Sequence, residues 1–377
     1  MFLAEATESG PHALLFVFNA IKVLVAFGVI MTVIPALIWL ERKVAAWIQL
    51  RDGPSKVGIP NWKILGPLAG WGMFGLLQPL ADMFKLILKE DFVPRRASKF
   101  LFIISPALVF VPIALAFAVI PFGHGFTFNY GEGAGESFFV NYQIADFGVG
   151  VLFALAFLSL SIHGLSLAGW ASNNKYSLFG AVRAGAQLIS YEAAMFMVIL
   201  AMIMTYGTLD LGDMAIDQAG GFLGFGGWGI FRQPVAFIIF FVCAYAESNR
   251  LPFDFPEAEA ELVGGYHTEF GSMKFAMFFL GEYYGMVIQS CLVVLLFLGG
   301  WTFPGIDPTA DSFLASLAGP LIFCLKVGAF LWLYIQVRWT LPRFRFDQLM
   351  NLGWKKLIPI SLLNVVATAI VLNLTTR

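Results

Sequence analysis

Charge is what this sequence has least of. Only 12% of its 377 residues are Asp, Glu, Lys or Arg, while 59% are hydrophobic; a typical soluble chain carries ~25% charged residues. So few charges cannot cover the surface of even one soluble domain, which excludes a soluble enzyme, a disordered chain and a secreted disulfide scaffold. Cysteine is as sparse. Cys243, Cys291 and Cys324 lie far apart in apolar runs with no CxxC pair, an argument against an iron–sulfur or zinc site and for small buried hydrophobes. Nor is there a basic surplus. The chain has 23 Lys and Arg against 24 Asp and Glu, so it has no electrostatic footprint for nucleic acid. What remains is an all-α polytopic membrane protein, read as a single membrane domain over residues 1–377.

A helix needs roughly 20 apolar residues to cross the bilayer core. Eight segments qualify: Leu14 to Leu40, Lys99 to Phe122, Ile144 to Trp170, Ala184 to Gly207, Pro234 to Ser248, Met273 to Gly300, Leu314 to Val337 and Leu357 to Leu374. The fifth is short and is expected to begin within the Gly-rich stretch before it. Nothing at the start reads as a cleaved signal peptide, since no Lys or Arg precedes the first apolar run. Nineteen of the 23 Lys and Arg fall on one side of these spans; Arg232 and Arg377 fall on the other, and Lys22 and Lys326 lie inside spans. The positive-inside rule then puts both termini on the periplasmic side and makes residues 41–98 and 251–272 cytoplasmic.

Within the first of those segments, Pro79 to Lys89 repeats apolar residues at helical spacing (Leu80, Met83, Phe84, Ile87, Leu88) with Asp82, Lys85 and Lys89 opposite. It is too short to span and reads as an amphipathic interfacial helix. It serves either as a surface anchor or as one wall of a cavity for an apolar ligand. Gly224 to Gly229 formally matches GxGxxG, but no strand precedes it and it lies in an outer loop, so it reads as loop.

Three charges sit where they are costly. From the spacing to flanking basic residues, Glu192 lies ~13 Å, Glu282 ~12 Å and Lys326 ~18 Å inside the bilayer. Each would cost roughly 2.5–3.5 kcal/mol on an isolated helix, so mutual pairing across the bundle, or a task, is expected. Glu247, three residues before Arg250, either joins them or snorkels to the interface. Lys22 and Asp146 are expected to snorkel at the outer ends of their helices. His163 is either a packing residue or a relay. The loop Pro252-Phe253-Asp254-Phe255-Pro256-Glu257-Ala258-Glu259-Ala260-Glu261 places four carboxylates within eight residues among apolar neighbours. It reads as a partly buried carboxylate cluster with mutually raised pKa values.

At these residues the chain resembles one family. Gly75-Leu76-Leu77-Gln78-Pro79-Leu80-Ala81-Asp82, and Pro252-Phe253-Asp254 followed by Glu257, Glu259 and Glu261, are similar to signatures of the quinone-site membrane subunit (the H subunit) of respiratory complex I, the NADH:quinone oxidoreductase. So are Glu41-Arg42-Lys43, Gln49-Leu50-Arg51 with Gly53-Pro54, Gly169-Trp170-Ala171-Ser172-Asn173, Ser190-Tyr191-Glu192, Ala246-Glu247 with Asn249-Arg250, and Pro342 to Met350. Gly281-Glu282-Tyr283 departs from the usual Ala-Glu-Tyr, and the long outer loops depart more widely. The resemblance covers nearly the whole chain. It implies a non-redox subunit that binds no flavin, metal or iron–sulfur cluster and walls a tunnel for the substrate quinone, ubiquinone or menaquinone. Arg42, Asp82, Arg338 and Arg343 would lie near that tunnel. An acidic route through Glu192, Glu247, Glu257, Glu259, Glu261 and Glu282, with Lys326 as partner, would couple quinone reduction to proton translocation. The implied partners are the hydrophilic quinone-site and iron–sulfur subunits, small membrane-arm subunits and the lipid of a bacterial inner membrane, or alternatively the mitochondrial one. Two other functions compete: the equivalent subunit of a membrane-bound hydrogenase or another dehydrogenase, and an autonomous ion antiporter.

Overall fold

The structure, a computed structural model, describes residues 10–58, 73–129, 137–220, 227–304 and 313–375, without the side chains of 10–17, 30, 73, 128–129, 137–138, 259–260 and 313–316. Its long helices are α1 (Gly10–Ile48), α3 (Lys99–Ala116), α4 (Gly150–Ala171), α5 (Lys175–Tyr206), α10 (Ser272–Phe297), α11 (Phe313–Thr340) and α13 (Ile358–Thr375). Shorter helices complete the order: α2 (Gln78–Leu88), α6 (Leu211–Asp217), α7 (Gly229–Arg232), α8 (Pro234–Glu247), α9 (Glu259–Leu262) and α12 (Phe346–Asn351). α12 continues through a π-helical stretch, Leu352–Leu357, into α13. Among the described residues, seven helices are long and apolar enough to cross a membrane.

The fifth expected span differs. α8 has 14 residues, about 21 Å of helix, and does not reach back into the Gly-rich stretch. Gly229–Arg232 forms a separate turn, and the backbone breaks at Gln233 (φ −140°, ψ 69°) before Pro234. Proline suits a first helical position because its missing N–H would be unpaired there. The Gly224–Gly226 part of the GxGxxG match lies outside the described residues. A second difference is a small antiparallel hairpin in the first long outer loop, β1 (Phe126–Asn129) with β2 (Ser137–Val140), pairing Phe126 with Val140.

α10 is the axis of the bundle: 78% of its most apolar window is buried, against 12% for the first span and 11% for the last. α3 packs on α4 and α10, α4 on α5, and α5 on α8 and α13. A close crossing of α10 on α3 accounts for the Gly281 departure. A Cβ there would lie 2.9 Å from Val109 Cγ1 on α3, closer than carbon atoms pack. α2 starts at Gln78 with Pro79 in its first turn and lies across α1 and the start of α10, tied there by Ser272 Oγ donating to the Leu86 carbonyl at 3.0 Å. Leu80, Met83, Phe84, Ile87 and Leu88 are all exposed on it, as an interfacial helix requires.

Candidate functional site

Several charged residues meet where the C-terminal part of α1 approaches α2, α10 and α11. Arg42 and Asp82 form an ion pair at 2.6 Å, joining α1 to α2. Two open cavities adjoin this pair. One, of about 470 Å³, is lined by Glu41, Arg42, Arg51 and Trp339. The other, of about 510 Å³, is lined by Arg42, Asp82, Lys85, Lys89 and His267. The amphipathic helix therefore brings its acid to the α1 arginine, a pairing that the sequence did not specify.

Beside Arg42 in the chain, Glu41 collects three donors. Arg338 of α11 pairs with one carboxylate oxygen. Tyr283 Oη donates to the other at 2.7 Å, and Arg250 Nη1 approaches that same oxygen at 3.4 Å. The Arg250 guanidinium lies over the Tyr283 ring, 4.2 Å from its centroid, and its Nη2 is 3.8 Å from Glu282 Oε2. Tyr283 and Glu282 are consecutive on α10, so their side chains diverge by about 100°. One helix turn thus faces both Glu41 and the interior.

The interior contains a small cavity of about 30 Å³ lined by Glu247, Glu282, Tyr266, Asn249, Ser161 and Gln289, roomy enough for a water molecule. Tyr266 Oη donates to Glu282 at 3.2 Å, and the Glu257 carboxyl stands beside Glu282. Burial first, then the charges of Glu282 and Glu257, hold the Tyr266 phenol well above its ordinary value, so it remains a donor. Glu247 accepts from Gln289 Nε2 at 2.6 Å and also feels the charge of Glu192. Glu192 accepts from the Ser159 hydroxyl. Glu247 thus turns inward and does not snorkel.

The acidic loop is held down by its apolar residues. Phe253, Phe255 and Leu262 are buried, and Gln187 of α5 donates to the Ala246 and Phe253 carbonyls at 2.7 and 2.8 Å. Its carboxylates do not form one cluster, however. Asp254 accepts from Arg343 Nη2 at 2.8 Å, Glu261 from Arg183 Nη1 at 2.6 Å, and Glu257 faces His267 at 3.7 Å as well as Glu282. The chain turns between these positions, so the acids point three ways and most gain a partner where mutual repulsion was expected. Burial, reinforced by Glu257 and opposed by Arg343, pushes Asp254 up to about 6, as expected of a buried carboxyl. The side chain of Glu259 lies outside the described residues.

Lys326 is the plainest correction. It pairs with neither Glu192 nor Glu282. Its ammonium donates to the carbonyls of Leu298, Gly300 and Thr302 at 2.7, 3.0 and 2.7 Å, and lies 4.5 Å from the Trp228 ring centroid. It caps the far end of α10, where the last helical carbonyls need donors. His163 bonds within its own helix turn, to the Ser159 carbonyl, and is exposed, so it is not among the acids. Lys22 reaches the Gln143 carbonyl at the outer end, as a snorkelling lysine does. The sequence does not mark Glu41, Arg250, Tyr283, Tyr266 and Gln289 as members of the site. Glu41 and Arg250 stand out there as motif residues, but only the fold shows that α1 and the end of α8 meet over α10.

Comparison with known proteins places the chain among its relatives. The family model described as NADH dehydrogenase matches residues 21–369. The chain is 45% identical to the H subunit of NADH-quinone oxidoreductase from Bdellovibrio bacteriovorus, covering 94% of this chain and 96% of that one. It is 43% identical to the second H subunit of the Koribacter versatilis enzyme, over 96% and 98%. The second H subunit of the Geobacter sulfurreducens enzyme is 44% identical, over 93% and 95%.

Proposed function

The chain belongs to the NADH dehydrogenase family, among the H subunits of NADH-quinone oxidoreductase, and from that membership we propose a coupling role for it within respiratory complex I. It is an integral inner-membrane subunit of that oxidoreductase. In this reading the two open cavities around Arg42 and Asp82, with Arg338 and Arg343 behind them, border the path of the quinone. The chain itself supplies no redox centre. Residues 41–98 and 251–272 face the cytoplasm and meet the hydrophilic quinone-site and iron–sulfur subunits, other faces of the bundle meet small membrane-arm subunits, and both termini lie on the periplasmic side.

One observation supports the coupling role above the others. Two runs of charged and hydrogen-bonding groups, each with contacts within 4 Å, adjoin through consecutive residues of α1: Asp82 with Arg42, and Glu41 with Arg250, Glu282 and Tyr266 in turn. Glu257 stands at Glu282, the cavity behind them is lined by Gln289 and Glu247, and Glu247 in turn feels the charge of Glu192. Quinone reduction changes charge at one end of this line, and carboxylates in low dielectric respond by exchanging protons. The loop acids Glu257, Glu259 and Glu261 sit between that change and the buried acids Glu192, Glu247 and Glu282. Lys326, at the far end of α10, stays outside the route. The test is isosteric: Glu192→Gln and Glu282→Gln preserve size but cannot ionise, while Asp keeps the charge. In an assembled complex, quinone reduction and proton pumping should fall steeply in the Gln variants and partly in the Asp variants. Full wild-type pumping by assembled Gln variants would reduce these acids to packing residues.

A further inference from the structure

Glu41 lines the open cavity of about 470 Å³, and Glu282 lines the enclosed one of about 30 Å³. Arg250 stands between them with its side chain 5% exposed. Only one edge of its guanidinium is engaged: Nη1 reaches Glu41 at 3.4 Å, while Nη2 stops 3.8 Å short of Glu282, and both Nη2 and Nε are buried with no hydrogen-bond partner. Such donors are normally paired in a folded interior. We propose that Arg250 is a two-position positioning residue, pairing alternately with Glu41 and with Glu282, and so reporting the state of the open cavity to the buried acids. This rests on the reading that those acids couple quinone reduction to pumping.

The surroundings make both positions available. On the α1 side, Glu41 keeps Arg338 and the Tyr283 hydroxyl when the guanidinium leaves, so its departure strands no charge. On the α10 side, apart from Arg250, Glu282 has a phenol, Tyr266, and a second carboxyl, Glu257, beside it, with Asp254 behind them. An ionised Glu282 therefore gains most from a cation, and a protonated one least. The groups facing Arg250 are thus Glu41, Arg338, Tyr283, Glu282 and, one contact behind, Glu257 and Tyr266. Arg250 stays on the Tyr283 ring face in either position, because a guanidinium stacks on an aromatic plane while its edges remain free to bond. Arginine keeps its proton at all working pH values, so it moves charge by displacement and never enters the proton path itself. A ligand or charge arriving at Glu41 and Arg338 weakens the first pairing, sends the guanidinium toward Glu282 and favours release of that carboxyl's proton.

The experiment uses the whole complex in proteoliposomes, comparing wild type with Arg250→Lys, Tyr283→Phe and Glu282→Gln. Three rates are read: NADH to a hydrophilic acceptor, NADH to quinone, and protons pumped per quinone reduced. A lysine keeps the charge but presents one compact donor group in place of the fork. Arg250→Lys should leave the hydrophilic-acceptor rate unchanged and lower protons per quinone by at least about two-fold, more than it lowers quinone reduction. Tyr283→Phe keeps the ring under the guanidinium but removes one donor from Glu41; it should hold Arg250 at Glu41 and lower the same ratio. A wild-type ratio in either assembled variant overturns the switch, as does a loss of quinone reduction and pumping in equal proportion. Should Arg250→Lys not assemble, Tyr283→Phe decides alone. Glu282→Gln separates the two ideas: if it is impaired while Arg250→Lys and Tyr283→Phe pump normally, only the switch falls; if it too is normal, the coupling reading falls with it.

Discussion

Gly180 and Gly185 lie five residues apart on α5, and the same substitution should have opposite consequences at the two. A Cβ at Gly180 would lie 2.7 Å from the backbone nitrogen of Tyr266 and 2.9 Å from the Cα and carbonyl carbon of Gly265. Carbon atoms settle about 3.5–4.0 Å apart, so the loop has to retreat by roughly 0.7 Å, and no flexible side chain is there to yield. That loop carries the Tyr266 hydroxyl to Glu282 at 3.2 Å, only a few tenths of an ångström inside the limit of a hydrogen bond. Overpacking costs about 1–3 kcal/mol, set against the roughly 0.5–1 kcal/mol that a helix gains from Gly to Ala. At Gly185 the added methyl would meet only Ser166 Oγ at 3.5 Å, an ordinary contact, leaving the helix gain alone. Gly180→Ala should therefore lower the thermal stability of the purified complex and cut NADH:quinone activity, with electron transfer from NADH to a hydrophilic acceptor intact. Gly185→Ala should be neutral or slightly stabilising in both assays. If the two variants behaved alike, the loop would not be seated on α5 as described.

Three further outcomes are expected. Burial raises Asp254 from 3.8 to about 6, so between those values the folded chain holds a proton that the unfolded chain releases; the resulting stability is complete at the acid end and fades as pH rises through about 6. Asp254→Asn should flatten that limb in a thermal-inactivation profile, and an unchanged profile would contradict the burial argument. The Arg42–Asp82 pair is 45% and 33% exposed, worth only about 0–1 kcal/mol, so Asp82→Asn should leave stability unchanged while slowing NADH:quinone activity and sparing the hydrophilic acceptor; equal loss of both activities would mean an assembly defect. Cysteines placed at Ser9 and Thr376 should both label from the periplasmic side, and labelling of either from the cytoplasm alone would overturn the orientation drawn from the basic residues.

The helices were legible in the sequence because their signal is local. An apolar run long enough to cross the bilayer is a property of consecutive residues, and each long helix overlaps its expected span, although its ends shift by up to nine residues and several run on past the apolar run. Lys175 to Arg183 extends α5, and Glu41 to Ile48 extends α1, because helical hydrogen bonding does not stop where hydropathy does. α2 was legible for the same reason, its apolar face repeating at helical spacing around Asp82. Pairing was not legible. Depth along a helix says how far in Lys326 lies but not which way it faces, and three carbonyls at the end of α10 claimed it. Consecutive acids in the Asp254–Glu261 loop look crowded on paper, yet Arg343, Arg183 and Glu282 draw them apart through contacts 78 to 89 residues distant for the first two.

The site divides by how its acids are held, and that division bears on direction. Near the open cavities the carboxylates have cations: Asp82 has Arg42, Asp254 has Arg343, and Glu41 has Arg338 and Arg250. Deeper in, the partners are neutral, with Gln289 at Glu247, Ser159 at Glu192 and Tyr266 at Glu282. Neutral donors satisfy a lone pair without cancelling a charge, so a deep carboxylate remains sensitive to charges that its arginine-paired counterparts are buffered against. Among the described residues, Arg250 is the one of these cations within 4 Å of acids from both groups. A disturbance at Glu41 therefore has a short electrostatic path inward through the side chain that joins α1 to the middle of α10, beside the one that runs from Asp254 through Glu257 to Glu282.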